Sequence, residues 1–415
     1  MSDRHFPVRP NLVQLRHQAK DLLRAIRRGD PSAVEELGKH HPEPIEPGDA
    51  KLRDAQLALA RGYGLPSWPR LVIACLMTDA IWRGDIETVR ELILKDPRLL
   101  YESARGQPDS NWGPPMSYAA NIGQDAIVQL LRELGATDLQ HAFDRACLQG
   151  RIATARKLYA MGARPSPGCV MGPCETLNAS GLAFLFELGA EFSDKHGNQL
   201  APVALLLQTY SRSPKGKHRC LEALAERGMA FPDTPPMAVH RGRIDLLEEH
   251  LHRVHNLFTR TFSHEEIYPP ELGCSADKSL GLHGTPLEGG TLLHLCVDFD
   301  EIDIARWMIE QHNVDVKAAV DADGFGGHTA LFGCVVSQPY RANCRKDDEF
   351  ARLLLDHGAN PNVRASLRKQ LRFLTDESMH EYRDVTPLGW GHQFHNQDWV
   401  SPPVMRLIAE RGGHV

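Results

Sequence analysis

The apolar positions of the chain fall in short helical stripes separated by turns. From Leu12 to Arg28, residues Leu12, Leu15, Ala19, Leu22, Leu23 and Ile26 recur every three or four positions, which predicts an amphipathic helix. Asp30-Pro31 opens a second helix, with proline at a position that needs no amide hydrogen. His40 to Gly48 is a proline-rich loop, and helices are predicted over 52–63 and 68–75.

Beyond this region the pattern repeats, most clearly from Gly327. Thr329 is placed to cap a short helix through its hydroxyl. Leu331, Cys334 and Val335 share one face of that helix. After an inserted segment, Leu353, Leu354 and Leu355 form the apolar stripe of a second helix, and Gly358 is placed to stop it in a left-handed conformation. Asn360-Pro361-Asn362 then turns the chain. The same order recurs at Thr291 to Val297 with Ile302 to Ile309, and at Thr386 to Trp390 with Val404 to Gly412. It recurs again at Pro115 to Gly123 with Ala126 to Ala136. Weaker copies run over 79–94, 142–163, 180–190, 200–229 and 237–251, and the copy over 175–190 is shortened at its first helix.

A period of about 33 residues, built from two short helices and a turn, resembles the ankyrin-repeat family. The resemblance covers about four-fifths of the chain, from Met77 to Val415. It implies an all-α ankyrin-repeat solenoid of about eight or nine helix-turn-helix units, and a recognition scaffold that binds a protein or peptide. Leu15 to Leu23 and Tyr63 to Arg70 resemble the N-terminal region of a class of bacterial ankyrin-repeat proteins. Residues 1–76 are therefore read as a helical N-terminal cap that shields the first apolar face of the array, 77–415. An independent helical domain is the alternative for 1–76.

Five stretches are longer than repeat turns require: 102–114, 165–177, 264–290, 339–348 and 367–384. By repeat register, four lie at the edge beside the concave groove, and 339–348 faces the other edge. Insertions at one edge of a repeat stack often serve binding, although a tolerated surface insertion looks the same in sequence. Trp112, Tyr268, His283 and Tyr382 are their candidate contact residues. The register also aims the two residues before each mid-repeat glycine at the groove. These are Trp82 and Arg83, Asn121 and Ile122, Leu148 and Gln149, and His240 and Arg241. Asp298 and Phe299 hold the same place before Asp300, as do Gln393 and Phe394 in the last unit. Aromatic, arginine and amide groups are enriched on recognition surfaces, but each position is also an ordinary helix end.

Composition narrows the partners. A net charge of −6 argues against nucleic acid. No apolar run is long enough to predict a membrane span, and Met1 to Pro10 lacks the apolar core of a secretory signal. Nine scattered cysteines read as reduced thiols in a cytoplasmic protein. Among 21 histidines, His252 and His255 take a ligand-like spacing while His250 points elsewhere, and Cys169 and Cys174 lack a second pair. No metal and no cofactor is expected. His294 holds the family's usual histidine position, which implies bonds to backbone in neighbouring turns. No phosphate-binding loop or nucleophile elbow is present. The pairs Asp298/Asp300 and Glu265/Glu266 suit solvation or capping as well as catalysis, so the balance leans against an enzyme. The alternative is an enzyme or small-molecule binder whose pocket is closed over the concave face by the loops at Trp112, Cys174, His283 and Tyr382.

Overall fold

The computed structural model describes residues 4, 6–108, 110–280, 283–312, 324–372 and 376–415. Residue 109 of the first insertion, 281–282 of the third and 373–375 of the last lie outside the described residues. The chain divides into two compact units, Met1–Pro165 and Ser166–Val415.

The first unit begins with helices Leu12–Arg27, Pro31–His40 and Leu52–Gly62. The predicted apolar stripe explains their packing: Leu15, Ala19, Leu22 and Ile26 are buried together with Leu37, Ala58 and Leu59. Asp30 caps the second helix, its carboxylate accepting from the Ser32 and Ala33 amides at 3.1 Å. The fourth helix runs Trp68–Arg83, well beyond the predicted end at 75. No breaker interrupts it, and the Thr78 hydroxyl bonds back to the Ala74 carbonyl at 2.7 Å. The boundary drawn at 76/77 therefore falls inside one helix, which belongs to both the cap and the first repeat.

Nine helix pairs follow among the described residues. The first unit holds Trp68–Arg83 with Ile86–Lys95, Pro115–Ile122 with Asp125–Glu133, and Leu139–Leu148 with Ile152–Ala160. The second holds Met171–Glu175 with Ala179–Glu187, Ala201–Gln208 with Pro214–Ala225, and Pro235–Arg241 with Ile244–Arg253. It continues with Leu292–Phe299 and Ile302–His312, Ala330–Val335 and Glu349–Asp356, and Pro387–Gln393 and Pro402–Glu410. First helices pack on first helices: Pro235–Arg241 on Leu292–Phe299, that on Ala330–Val335, and that on Pro387–Gln393. Between the helices of a pair the backbone turns left-handed, with φ of +70° at Gly84, +83° at Gly123 and +68° at Gly242. Asp300 takes the same turn at +63° without being glycine, and its carboxylate pairs with Arg345 at 2.5 Å. The fold is thus mostly helical, built of ankyrin-type helix pairs behind an N-terminal helical cap.

Three expectations change. Segment 165–177 is not a plain loop: it contains Met171–Glu175, the short first helix of the fourth pair. Segment 367–384 is a β-hairpin of β1, Ala365–Gln370, and β2, Met379–Val385, with Leu367 opposite Tyr382 and Lys369 opposite His380. The strand pattern was hidden because a lysine, Lys369, occupies an inward position beside Ala365 and Leu367. Thr329 stands at the predicted cap but makes no side-chain cap bond. All nine cysteines are free, and no helix among the described residues is long and apolar enough to cross a membrane.

Candidate functional site

In the second unit the helix Leu292–Phe299 begins at buried Thr291 and ends on Asp298 and Phe299. His294 behaves as its position implies. Its Nδ1 accepts from the Thr291 amide at 3.1 Å, and its Nε2 reaches the His328 carbonyl at 3.2 Å. Phe299 is 2% exposed and sits among cations: Lys217 Nζ lies 4.1 Å and the Arg212 guanidinium 5.1 Å from its ring centre. The His240 ring is 4.6 Å away. These contacts are cation–π and ring-edge interactions within the chain, so Phe299 is not open to a docking partner.

Asp298 is also buried, and Oδ2 accepts hydrogen bonds from Arg212 Nη2 and from His283 Nδ1, both at 2.8 Å. Burial opposes ionisation of Asp298, but His283 and Arg212 outweigh it and hold its pKa down at about 2. Burial lowers the pKa of His283, which stays neutral at pH 7. With Nδ1–H directed at Asp298, Nε2 is left as the acceptor for the Tyr268 hydroxyl at 2.8 Å. The Tyr268 phenol is pushed well above its ordinary value by burial and then by Asp298. The result is a buried chain, Tyr268 to His283 to Asp298 to Arg212, from separate parts of the unit.

A second buried group flanks it. His240, also kept neutral by burial, donates from Nε2 to the Ile267 carbonyl at 2.9 Å. Lys217 Nζ lies 3.4 Å from His240 Nδ1 and 3.6 Å from Glu301 Oε1, and burial lowers its pKa to about 8 despite Glu301.

Tyr268 and His283 also line a cavity of about 480 Å³. The first wall is the insertion that runs from His264 to Gly289; Phe325 to His328 and β1 form the others. His283 is fixed because Gly284 has no room for a side chain, where a Cβ would lie 2.2 Å from the Val336 carbonyl oxygen. The next residue, Thr285, donates to that carbonyl at 3.0 Å and accepts from Trp390 Nε1 at 3.1 Å. On the β1 wall Lys369 is 7% exposed. Burial lowers its pKa to about 8 against the attraction of Asp298, and it has no hydrogen-bond or ion-pair partner among the described residues. His328 donates from Nε2 to the Pro286 carbonyl at 3.0 Å, leaving Nδ1 without a partner, and burial lowers its pKa to about 4. A lysine on the same cavity wall as a Tyr–His–Asp chain is equipped to hold an anion and to exchange a proton.

The structure divides the other expected contact residues. In the first unit Trp82 is 36% exposed, with Nε1 donating to Tyr118 Oη at 2.7 Å, and exposed Arg83 pairs with Asp79 at 3.0 Å. Ile122 and Gln149 are half-buried. Asn121 is buried, accepting from Arg145 Nε at 2.9 Å, and half-buried Trp112 lies under the same guanidinium at 5.3 Å. In the second unit Arg241 is half-buried against Glu222 at 2.7 Å, and Gln393 is exposed. Phe394 and Tyr382 are buried around Trp390, at 4.9 and 4.7 Å, and the Tyr382 hydroxyl donates to His395 Nδ1 at 2.6 Å. Tyr382 thus ties the hairpin to the last repeat. Asn121, His240, Asp298, Phe299, Phe394 and Tyr382 are therefore corrected from open contact residues to buried ones, and Tyr268 and His283 are buried on the cavity wall. Repeat register places a residue at a helix end and is blind to an insertion folded over it. Of the loops expected to close a pocket, those at His283 and Tyr382 border the cavity, and neither Cys174 nor Trp112 lines it. The sequence reading did not single out Arg212, Lys217 or His328. Arg212 carried no motif.

No protein-family model matches the chain, and no curated protein matches it. Among solved structures, a human ASB11 ankyrin repeat domain is similar over 72% of this chain and 99% of its own, at 18% identity and a TM-score of 0.25. Those values carry nothing about function. The likeness of this chain to ankyrin repeats rests on its own helix pairs and on left-handed turns such as those at Gly84, Gly123 and Gly242.

Proposed function

We propose that the chain binds a small molecule in the cavity of its second unit. The observation that carries this reading is the buried Tyr268–His283–Asp298–Arg212 chain, which ends on the cavity wall. Convergent polar groups beside an apolar wall, in a concavity of this size, are what small-ligand sites require, typically about 300–1,000 Å³. The insertion and the hairpin that enclose the cavity are additions to the repeat pattern, and neither is needed to stack helix pairs. The test is a thermal-shift screen of small metabolites on the wild type and on His283→Ala, each measured against its own ligand-free melting temperature. Ligands of the cavity raise the wild-type value and lose most of that effect on the variant. A broad library without a wild-type hit, or hits that act equally on both proteins, would sink the reading.

A second reading, recognition of a protein or peptide, is favoured by Trp82 alone. It is a large aromatic at a first-helix end with a third of its surface open and Arg83 beside it. Replacing Trp82 and Arg83 together by Ala removes partner capture from a host lysate if this strip is used. Undiminished capture of the same partner would rule the strip out.

A further inference from the structure

We infer that the ligand of this cavity is a small hydroxylated anion, a carboxylate or a phosphate ester, whose single charged group is held by Lys369. The inference rests on the small-molecule reading above and names the chemistry it takes. It starts from charge. Arg212 is matched by Asp298 and Lys217 by Glu301, each pair inside the protein. Lys278 at the cavity rim is matched by Glu288. His283 and His328 are neutral. Asp298, the one acidic group that attracts Lys369, already takes hydrogen bonds from both Arg212 and His283. One buried cation on the cavity wall is left without a counter-charge. Buried charges are ordinarily paired, because leaving one alone in a low-dielectric setting is costly. An anion entering the cavity supplies the missing partner.

The rest of the wall selects the remainder of the ligand. The Tyr268 hydroxyl hydrogen is directed at His283, so its oxygen presents only lone pairs to the cavity. A ligand hydroxyl is a donor and meets this need. Leu287, Phe325 and Leu367 supply apolar wall, which disfavours a second charged group. One buried cation, with Arg368 an exposed cation of the same wall lying over the Phe325 ring at 5.1 Å, and a volume of about 480 Å³ limit the ligand to one anionic centre on a small skeleton.

The test is isothermal titration at pH 7 of the full chain with glycerate and with glycerol 3-phosphate, using glycerol as the neutral control and choline as the cationic one. One or both anions bind, and whichever binds more tightly separates carboxylate from phosphate recognition. Lys369→Met lowers that affinity by about 10- to 100-fold, the worth of a charge-assisted hydrogen bond. Ligand-free Lys369→Met melts no lower than the wild type, because it loses an unpaired buried cation. If that variant does not fold, Lys369→Gln is read in the same way. Glycerol or choline binding as tightly as the anions, or anion binding unaffected at Lys369, overturns the ligand class and leaves the cavity reading standing. Metabolites that act through the cavity in the thermal-shift screen while neither anion binds have the same meaning. No ligand of any charge in either experiment overturns both.

Discussion

Arg212 and Asp298 meet across 86 positions of sequence in an ion pair of 2.8 Å, with side chains 3% and 6% exposed. The contact holds the turn between the two helices of one pair, Ala201–Gln208 and Pro214–Ala225, to the end of a first helix two pairs further on. Removing one partner strands the other charge in the interior, which typically costs about 3–5 kcal/mol. Asp298→Asn and Arg212→Met should each lose stability on that scale in urea unfolding, and the double variant should lose clearly less than the sum of the two. Single variants within about 1 kcal/mol of wild type would mean that water reaches the pair.

The pH dependence of stability separates Lys369 from its neighbours. Its folded pKa of about 8 lies below the ordinary 10.5, so between these values the unfolded chain binds more protons. Stability contributed through this group therefore rises with pH across that window, and the cost of the buried charge is fully present below about pH 8. Asp298, His283 and His395 act on or feel the same charge. Lys217 shifts in the same direction, so wild type and Lys369→Met must be compared. Any melting advantage of the variant at pH 7.5 should shrink by pH 10. A constant difference would show that Lys369 is not a buried titrating group.

Much of this fold was legible in the sequence. Leu15 to Ile26 announced the cap helix, and repeat register placed Asp300 where other units have their mid-repeat glycine. The hairpin was not legible, because Lys369 breaks the alternation of apolar and polar residues on β1. The site was legible only in part. Tyr268, His283 and Asp298 were all singled out, but as separate exposed contacts, since periodicity reports the face of a helix and not what an insertion lays over it. Arg212 lies between two helices, where no spacing rule applies, and only folding reveals its partner.

The N-terminal cap makes a separate prediction. A chain that begins at Met77 cuts the helix Trp68–Arg83 in its middle and removes the core formed by Leu15, Ile26, Leu59 and Leu71. It also deletes the Val8 carbonyl that accepts from Tyr118 at 2.7 Å. That protein should aggregate or melt well below the full chain, measured by size exclusion and calorimetry. A monomer with the full chain's melting temperature would show that residues 1–76 are a separate domain.

The account stands or falls on the cavity between Tyr268 and Lys369. The most direct measurement is a crystal structure of the full chain soaked with glycerate or glycerol 3-phosphate. The account predicts ligand density in that cavity, with the anionic group at hydrogen-bonding distance from Lys369 Nζ and a hydroxyl on Tyr268 Oη. A collapsed cavity, or ordered water alone between these two residues at saturating ligand, would contradict it.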